Sequence, residues 1–187
     1  MSATVCLNDG DTHNAPNEQV EVKFPIVVER YALARDSGGA GRHRGGLGID
    51  RIVRARTGMT LNTQIERAHC KPWGLEGGLE GAGNEVWVRN GDTWKTDFPN
   101  AKVLVARLDT GDAFRVRSGG GGGHGSPLER PIEIVAEDVK QGYVSVEAAA
   151  ELYGVVVDPA TLKVDIVATE RLRAARLNPG ATQGTGP

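Results

Sequence analysis

The sequence predicts a β-rich α+β protein: a sandwich- or barrel-like sheet domain followed by a small helical and mixed C-terminal cap. Three observations point there. From Val20 to Arg117, short runs rich in Val, Ile and Thr alternate with Gly, Asn and Asp turns, a pattern of about seven short strands. After Pro127 the period changes: Val146, Ala149, Ala150 and Tyr153 fall at i, i+3, i+4 and i+7, one face of a helix. Hydrophobic residues make up 39% of the chain but aromatics only 5%, so the core must rest on Val, Ile, Leu and Ala.

The elements follow in order. Residues 1–19 are polar, with Asn-Asp-Gly and Ala-Pro-Asn turn signals, and read as an N-terminal arm. The β-rich domain is expected over 20–126. Val20–Phe24 reads as a strand, and Pro25 marks an edge or break before Ile26–Ala34 because proline cannot donate to a ladder. Ile49–Arg56 follows, and Met59–Glu66 alternates at period two. Glu85–Arg89 precedes the hairpin signal Asn90-Gly91. Lys102–Leu108 and Ala113–Arg117 complete the set. The cap is expected over 127–177. Pro131 opens a helix that Gly142 closes. Ser145 caps a second, ended by Gly154, and Thr169 caps a third. Val155–Val157 and Lys163–Val167 read as strands between them. Residues 178–187 read as a flexible tail.

Glycine is the unusual component: 26 residues, about twice the common share. Asp36–Gly48 holds six glycines, two arginines and a histidine, and Ser118–Ser126 reads SGGGGGHGS. Such segments present bare main chain, suited to close approach by another backbone or a ligand. The net charge of −2 argues against a nucleic-acid binder. Charge is uneven, however: residues 30–56 hold seven Arg against Asp36 and Asp50, and 128–151 hold six acids against Arg130 and Lys140. Cys6 and Cys70 make no disulfide framework, and the sequence shows neither a signal-like N-terminus nor a run of the ~20 apolar residues that span a bilayer. The expectation is a cytoplasmic chain with no membrane partner.

The motifs RYALARDSGGAGRHRGGLGIDR, Pro72-Trp73-Gly74-Leu75, and GGGGGHGSPLERPIEIVAEDVKQGYVSVEAAAELYGVVV occur in this order. In these the chain resembles the C-terminal region of the hydantoinase B/5-oxoprolinase family, which includes subunits of acetone, acetophenone and caprolactam enzymes. In three positions it departs from the family's usual glycine cluster: Ser118 stands at a proline, His124 at a tyrosine and Ser126 at an aspartate. The resemblance implies a small subunit of an ATP-dependent hydantoinase/carboxylase-type complex acting on a lactam, hydantoin or ketone. Its role would be structural, in assembly, with a contribution to the active-site channel, and it would be inactive alone. The implied partners are a hydantoinase A-like subunit and the remaining hydantoinase B-like subunit, in a hetero-oligomer. ATP and a divalent metal would sit in those partners, with no cofactor bound by this chain. Met1 favours a separately encoded small subunit over a fragment. A non-catalytic binding module outside the enzyme, or an independent metal hydrolase, are the alternatives.

No residue is assigned a catalytic role. Arg42, Arg44, Gly45, Gly46, His69, Gly121, Gly122 and His124 are the candidates to face substrate or a partner. Arg42 and Arg44 could grip phosphate or carboxylate beside an anion nest, or could instead serve structural ion pairs. The segment lacks the lysine of a phosphate-binding loop. His13, His43, His69, His124 and the cysteines show no zinc-site spacing, so no metal ligand is assigned. Glu129, Glu133, Glu137 and Asp138 fit a solvated helix face or a partner's basic patch.

Overall fold

The structure, a computed structural model, describes residues 15–177. The expected arm up to residue 14 and the tail from 178 lie outside them. The fold is α+β. Strands β1 (Ile26–Leu33), β2 (Ile49–Ala55), β7 (Ala113–Arg117), β4 (Glu85–Asn90) and β5 (Thr93–Lys95) form one antiparallel sheet in that spatial order. Strands β3 (Met59–Leu61) and β6 (Ala106–Leu108) pair separately. The large sheet is open, with β1 and β5 at its edges, so it is not the closed barrel that was one expectation.

One core draws on both sheets. Val86, Val88 and Ala55 pack with Val103 and Leu108, and Phe114, Val116, Met59 and Leu61 fill in around them. A second core belongs to the helices: Val135 and Val139 of α2 (Ile132–Lys140), Ala149 and Tyr153 of α3 (Val146–Tyr153), with Val144, Val155 and Val157. Ala40, from the first glycine segment, is buried in that second core. The final helix, α4 (Ile166–Leu177), closes the described chain. The helix ends follow their chemistry. The Ser145 hydroxyl accepts from Ala148 N at 3.0 Å, and Gly142 (φ 72°) and Gly154 (φ 64°) take the left-handed conformation that ends a helix.

Several expected strands are not strands. Asn17–Lys23, overlapping the expected Val20–Phe24 strand, is helix α1. Pro16 precedes its first turn, Glu18 and Lys23 suit the two ends of the helix dipole, and the Glu21 carboxylate reaches back to accept from Val28 N at 2.7 Å. Met59–Glu66 pairs only as far as Leu61 because Thr63 takes over the neighbouring main chain. Its hydroxyl donates to Ala101 O at 3.1 Å and accepts from Val103 N at 2.8 Å. The matching run Lys102–Leu108 is strand only from Ala106, since Val105 sits at φ 55°. Val155–Val157 and Lys163–Val167 reduce to a single bridge, Val157 with Val164. The last helix begins earlier than Thr169: the Asp165 carboxylate accepts from Ala168 N at 2.9 Å, while Thr169 is buried and its hydroxyl accepts from Val156 N at 3.0 Å. Asp138 is also no solvated carboxylate; it is buried.

Candidate functional site

Three segments, 36–48, 72–83 and 118–125, interlock without forming helix or ladder. Gly39 N donates to Gly121 O at 2.8 Å and Gly121 N to Gly46 O at 2.9 Å. Leu79 N donates to Ala40 O at 2.7 Å, Gly123 N to Leu79 O at 2.9 Å and Ala82 N to Ser37 O at 2.8 Å. Each segment thus bonds to the other two through main chain. The glycines are there for closeness, since most of them do not adopt positive φ. A Cβ on Gly41 would stand 2.6 Å from His124 N, and one on Gly81 2.6 Å from Gly120 O. On Gly45 it would fall onto the Gly121 carbonyl, and on Gly122 onto that of Trp73. Real side chains do not approach backbone so closely, so the sequence must omit them.

Much of the lattice's main chain is spent on itself. An anion nest needs unengaged N–H groups, whereas those of Gly39, Gly45, Gly78, Gly81, Gly121, Gly123 and Gly125 all donate to carbonyls of the same chain. The close approach that the sequence suggested is to the chain's own segments.

Arg44 leaves the lattice toward the helices. Its Nε donates to Asp138 Oδ2 at 3.2 Å and its NH2 to Oδ1 at 3.3 Å. Arg130 NH2 donates to the same carboxylate at 2.7 Å, and Arg130 NH1 to Arg42 O at 3.0 Å. The Arg44 guanidinium lies 5.5 Å from the centre of the Tyr143 ring. Arg173 of α4 donates to Arg130 O at 2.8 Å and to Tyr153 O at 3.1 Å. Burial pushes the Tyr153 phenol up to about 12, against the opposing charges of Arg130 and Arg44. Two arginines sharing one buried carboxylate therefore clamp the helical cap to the lattice.

Arg42 is exposed, as are His43 and His124. The two histidines pair across a bridge, each N–H donating to the other's carbonyl at 2.9 Å, with ring centres 6.0 Å apart. Gly45, Gly46, Gly121 and Gly122 belong to the same lattice. His69 belongs elsewhere: it lines a cleft of about 380 Å³ with Asn84, Glu85, Trp87 and Phe98. The structure thus gathers seven of the eight candidates and sets His69 apart. Sequence reasoning missed Trp73, Leu75 and Leu79, which are exposed by 71%, 57% and 42% along the lattice rim. A tryptophan and leucines interrupting a glycine run were the available signal. It also missed Asp50, buried in the sheet between Arg30 at 2.7 Å and Arg115 at 2.6 Å, with Trp87 stacked 4.8 Å from Arg115. Burial works to raise the Asp50 pKa, but the hydrogen bonds and charges of Arg115 and Arg30 outweigh it and hold the carboxyl below its ordinary value. Among the described residues, no three His, Cys, Asp or Glu side chains converge as metal ligands, and no helix is long and apolar enough to cross a membrane.

The sequence pattern of hydantoinase B/oxoprolinase matches residues 1–127. The chain belongs to this family. It is 37% identical over 162 residues to an uncharacterised protein of Methanocaldococcus jannaschii, covering 86% of this chain and 28% of that one. It is 34% identical over 163 residues to the caprolactamase subunit beta of Pseudomonas jessenii, covering 84% and 28%. The solved ATP-dependent caprolactamase of that organism superposes with a TM-score of 0.74 at 28% identity, covering 86% of this chain and 28% of its own. The nucleotide-free acetone carboxylase superposes with a TM-score of 0.76 over 95% of this chain at 24% identity, a likeness of fold. The chain therefore spans just over a quarter of the length of these relatives. The cap, beyond residue 127, falls outside the family match, yet it is held to the matched part by the Asp138 clamp.

Proposed function

We propose that this chain serves as the C-terminal hydantoinase B-like part of an ATP-dependent enzyme that opens a lactam or hydantoin or carboxylates a ketone. Its contribution is assembly and the shaping of a channel wall, with the activating chemistry supplied by companion chains. The superposition on the caprolactamase, 28% identical with a TM-score of 0.74, carries this reading. The lattice supports the structural role. It is a stiff, backbone-bonded surface whose rim presents Trp73, Leu75 and Leu79 to solvent, three large apolar side chains of the kind a partner covers. No step through nucleotide is assigned to these residues.

The test is native purification of the tagged chain, followed by assay of the recovered assembly. Companions resembling hydantoinase A and the larger part of hydantoinase B are expected to copurify. The assembly is expected to consume ATP with a lactam or hydantoin, or with a ketone and labelled bicarbonate; the pair that works names the substrate class. Turnover by the chain purified alone, or its recovery as a free ~20 kDa species with no companion, overturns the proposal.

A further inference from the structure

The His43–His124 pair is the one place among the described residues where backbone hydrogen bonds hold two exposed imidazoles side by side. The residues are 81 apart in sequence, so no spacing motif could show them. They are brought together by the lattice: His43 N donates to His124 O and His124 N to His43 O, both at 2.9 Å. A mutual pair of this kind places both Cβ atoms on the same side, with Cα atoms about 5.5 Å apart. Glycines flank it: Gly41 lies too close to His124 to carry a side chain, and Gly125 on the other segment takes φ 73°. The pair therefore cannot splay without breaking the bonds that define the lattice.

We propose that His43 and His124 form a two-imidazole chelate for a divalent transition-metal ion of the nitrogen-preferring class, Cu²⁺, Ni²⁺ or Zn²⁺. The distances carry this. A metal–imidazole bond is about 2.0–2.1 Å. The ring centre lies about 1.1 Å behind the ligating nitrogen, so each centre sits ~3.2 Å from a bound ion. Two rings on one ion then have centres from ~4.5 Å apart, for ligands at a right angle, to ~6.4 Å, for ligands opposite one another. The observed separation is 6.0 Å with planes inclined at 52°, inside that range. Neutral imidazole is the commonest protein ligand for these ions, and copper is held most tightly in the usual order. With no third His, Cys, Asp or Glu converging among the described residues, the remaining positions are open to water or to a ligand brought by another molecule. The bound ion would staple the first glycine segment to the third. This chelate does not depend on the functional reading above.

The experiment is calorimetric titration of the full 187-residue chain with Ni²⁺ and Zn²⁺, and Cu²⁺ titration followed by electron paramagnetic resonance. One ion per chain is expected, with two equatorial nitrogens in the copper spectrum. His43→Gln and His124→Gln are each expected to weaken binding by more than the roughly 10- to 100-fold that loss of an outer partner costs. The variants His69→Gln, Cys70→Ser, His13→Gln and Cys6→Ser are expected to bind as the parent does. Both paired rings are exposed, so the metal-free variants should melt where the parent melts, while the metal raises the melting temperature of the parent only. No binding up to ~100 µM metal, or tight binding that survives either His43→Gln or His124→Gln, overturns the chelate.

Discussion

Replacing Asp138 with alanine strands two buried guanidinium groups. Arg44 and Arg130 both donate to that carboxylate, and the side chains concerned are exposed by only 10–12%. Removing one partner of a buried ion pair costs about 3–5 kcal/mol, most of it the penalty of a charge left without its counter-charge. Here the single deletion leaves two such charges facing each other, so the upper half of that range is expected. For a chain of this length each kcal/mol shifts the melting temperature by about 2–4 °C, giving a loss of roughly 8–20 °C. Thermal and urea unfolding should be followed by far-ultraviolet circular dichroism and by tryptophan fluorescence, because Trp73, Trp87 and Trp94 all lie outside the helical cap while the helices dominate the dichroism. The cap is expected to melt first, separating the two signals. Arg44→Met placed in the Asp138→Ala background should recover part of the loss, because it removes one of the stranded charges; the cycle gives their coupling directly. A loss below about 1 kcal/mol for Asp138→Ala, or no recovery in the double variant, would refute the clamp.

Three further outcomes follow from other parts of the fold. Gly45→Ala places a methyl group on the Gly121 carbonyl and is expected to cost at least the ~1–3 kcal/mol of overpacking, whereas Gly58→Ala, with open space around it and no positive φ, should stay within ~0.5 kcal/mol; melting temperatures of the pair decide this. Asp50 is held below its ordinary pKa, so its stabilisation is present above the unfolded carboxylate value and disappears as pH falls through the lower folded value. Asp50→Asn should therefore lose stability at pH 7 and show a flatter decline of the urea midpoint below about pH 4 than the parent. Ser145→Ala removes the acceptor for Ala148 N and is expected to cost about 1 kcal/mol by urea titration, with Ser145→Thr near neutral.

The α+β class, four of the strands and the α2–α3 pair were legible because local rules decide them. The runs Ile49–Ala55 and Ala113–Arg117 pair as strands in the sheet, and Ser145, Gly142 and Gly154 sit where capping requires. The errors fall where a side chain competes with the ladder. Thr63 captures the main chain of Ala101 and Val103, and Asp165 pre-empts Thr169 as the cap of α4. Asp138 looked solvated because its helix carries Glu133 and Glu137 beside it, and only the fold shows that Arg44, 94 residues away, meets it. The His43–His124 pair was illegible for the same reason: the glycine runs announce close approach but not between which segments.

The lattice separates what holds it together from what its surface presents. Its cohesion comes from main-chain bonds such as Gly39 to Gly121 and Leu79 to Ala40, and from missing side chains at positions such as Gly45 and Gly123. Neither depends on the exposed side chains between the glycines. Arg42, His43, Trp73, Leu75, Leu79 and His124 are all exposed, and their backbones are held whatever side chain they carry. Surface chemistry at these six positions can thus change with little effect on stability, within the ~0.5 kcal/mol typical of exposed sites, while a single methyl group at a glycine between them is costly. Ala40 ties the lattice to the helical core, and β1, β2 and β7 run directly into it from the sheet, so any partner seated on the rim rests on a frame braced from both sides. It follows that Trp73→Ser and Leu75→Ser should leave the melting temperature of the chain almost unchanged while weakening its recovery with companion chains. Loss of fold in those two variants would show instead that the rim is part of the core.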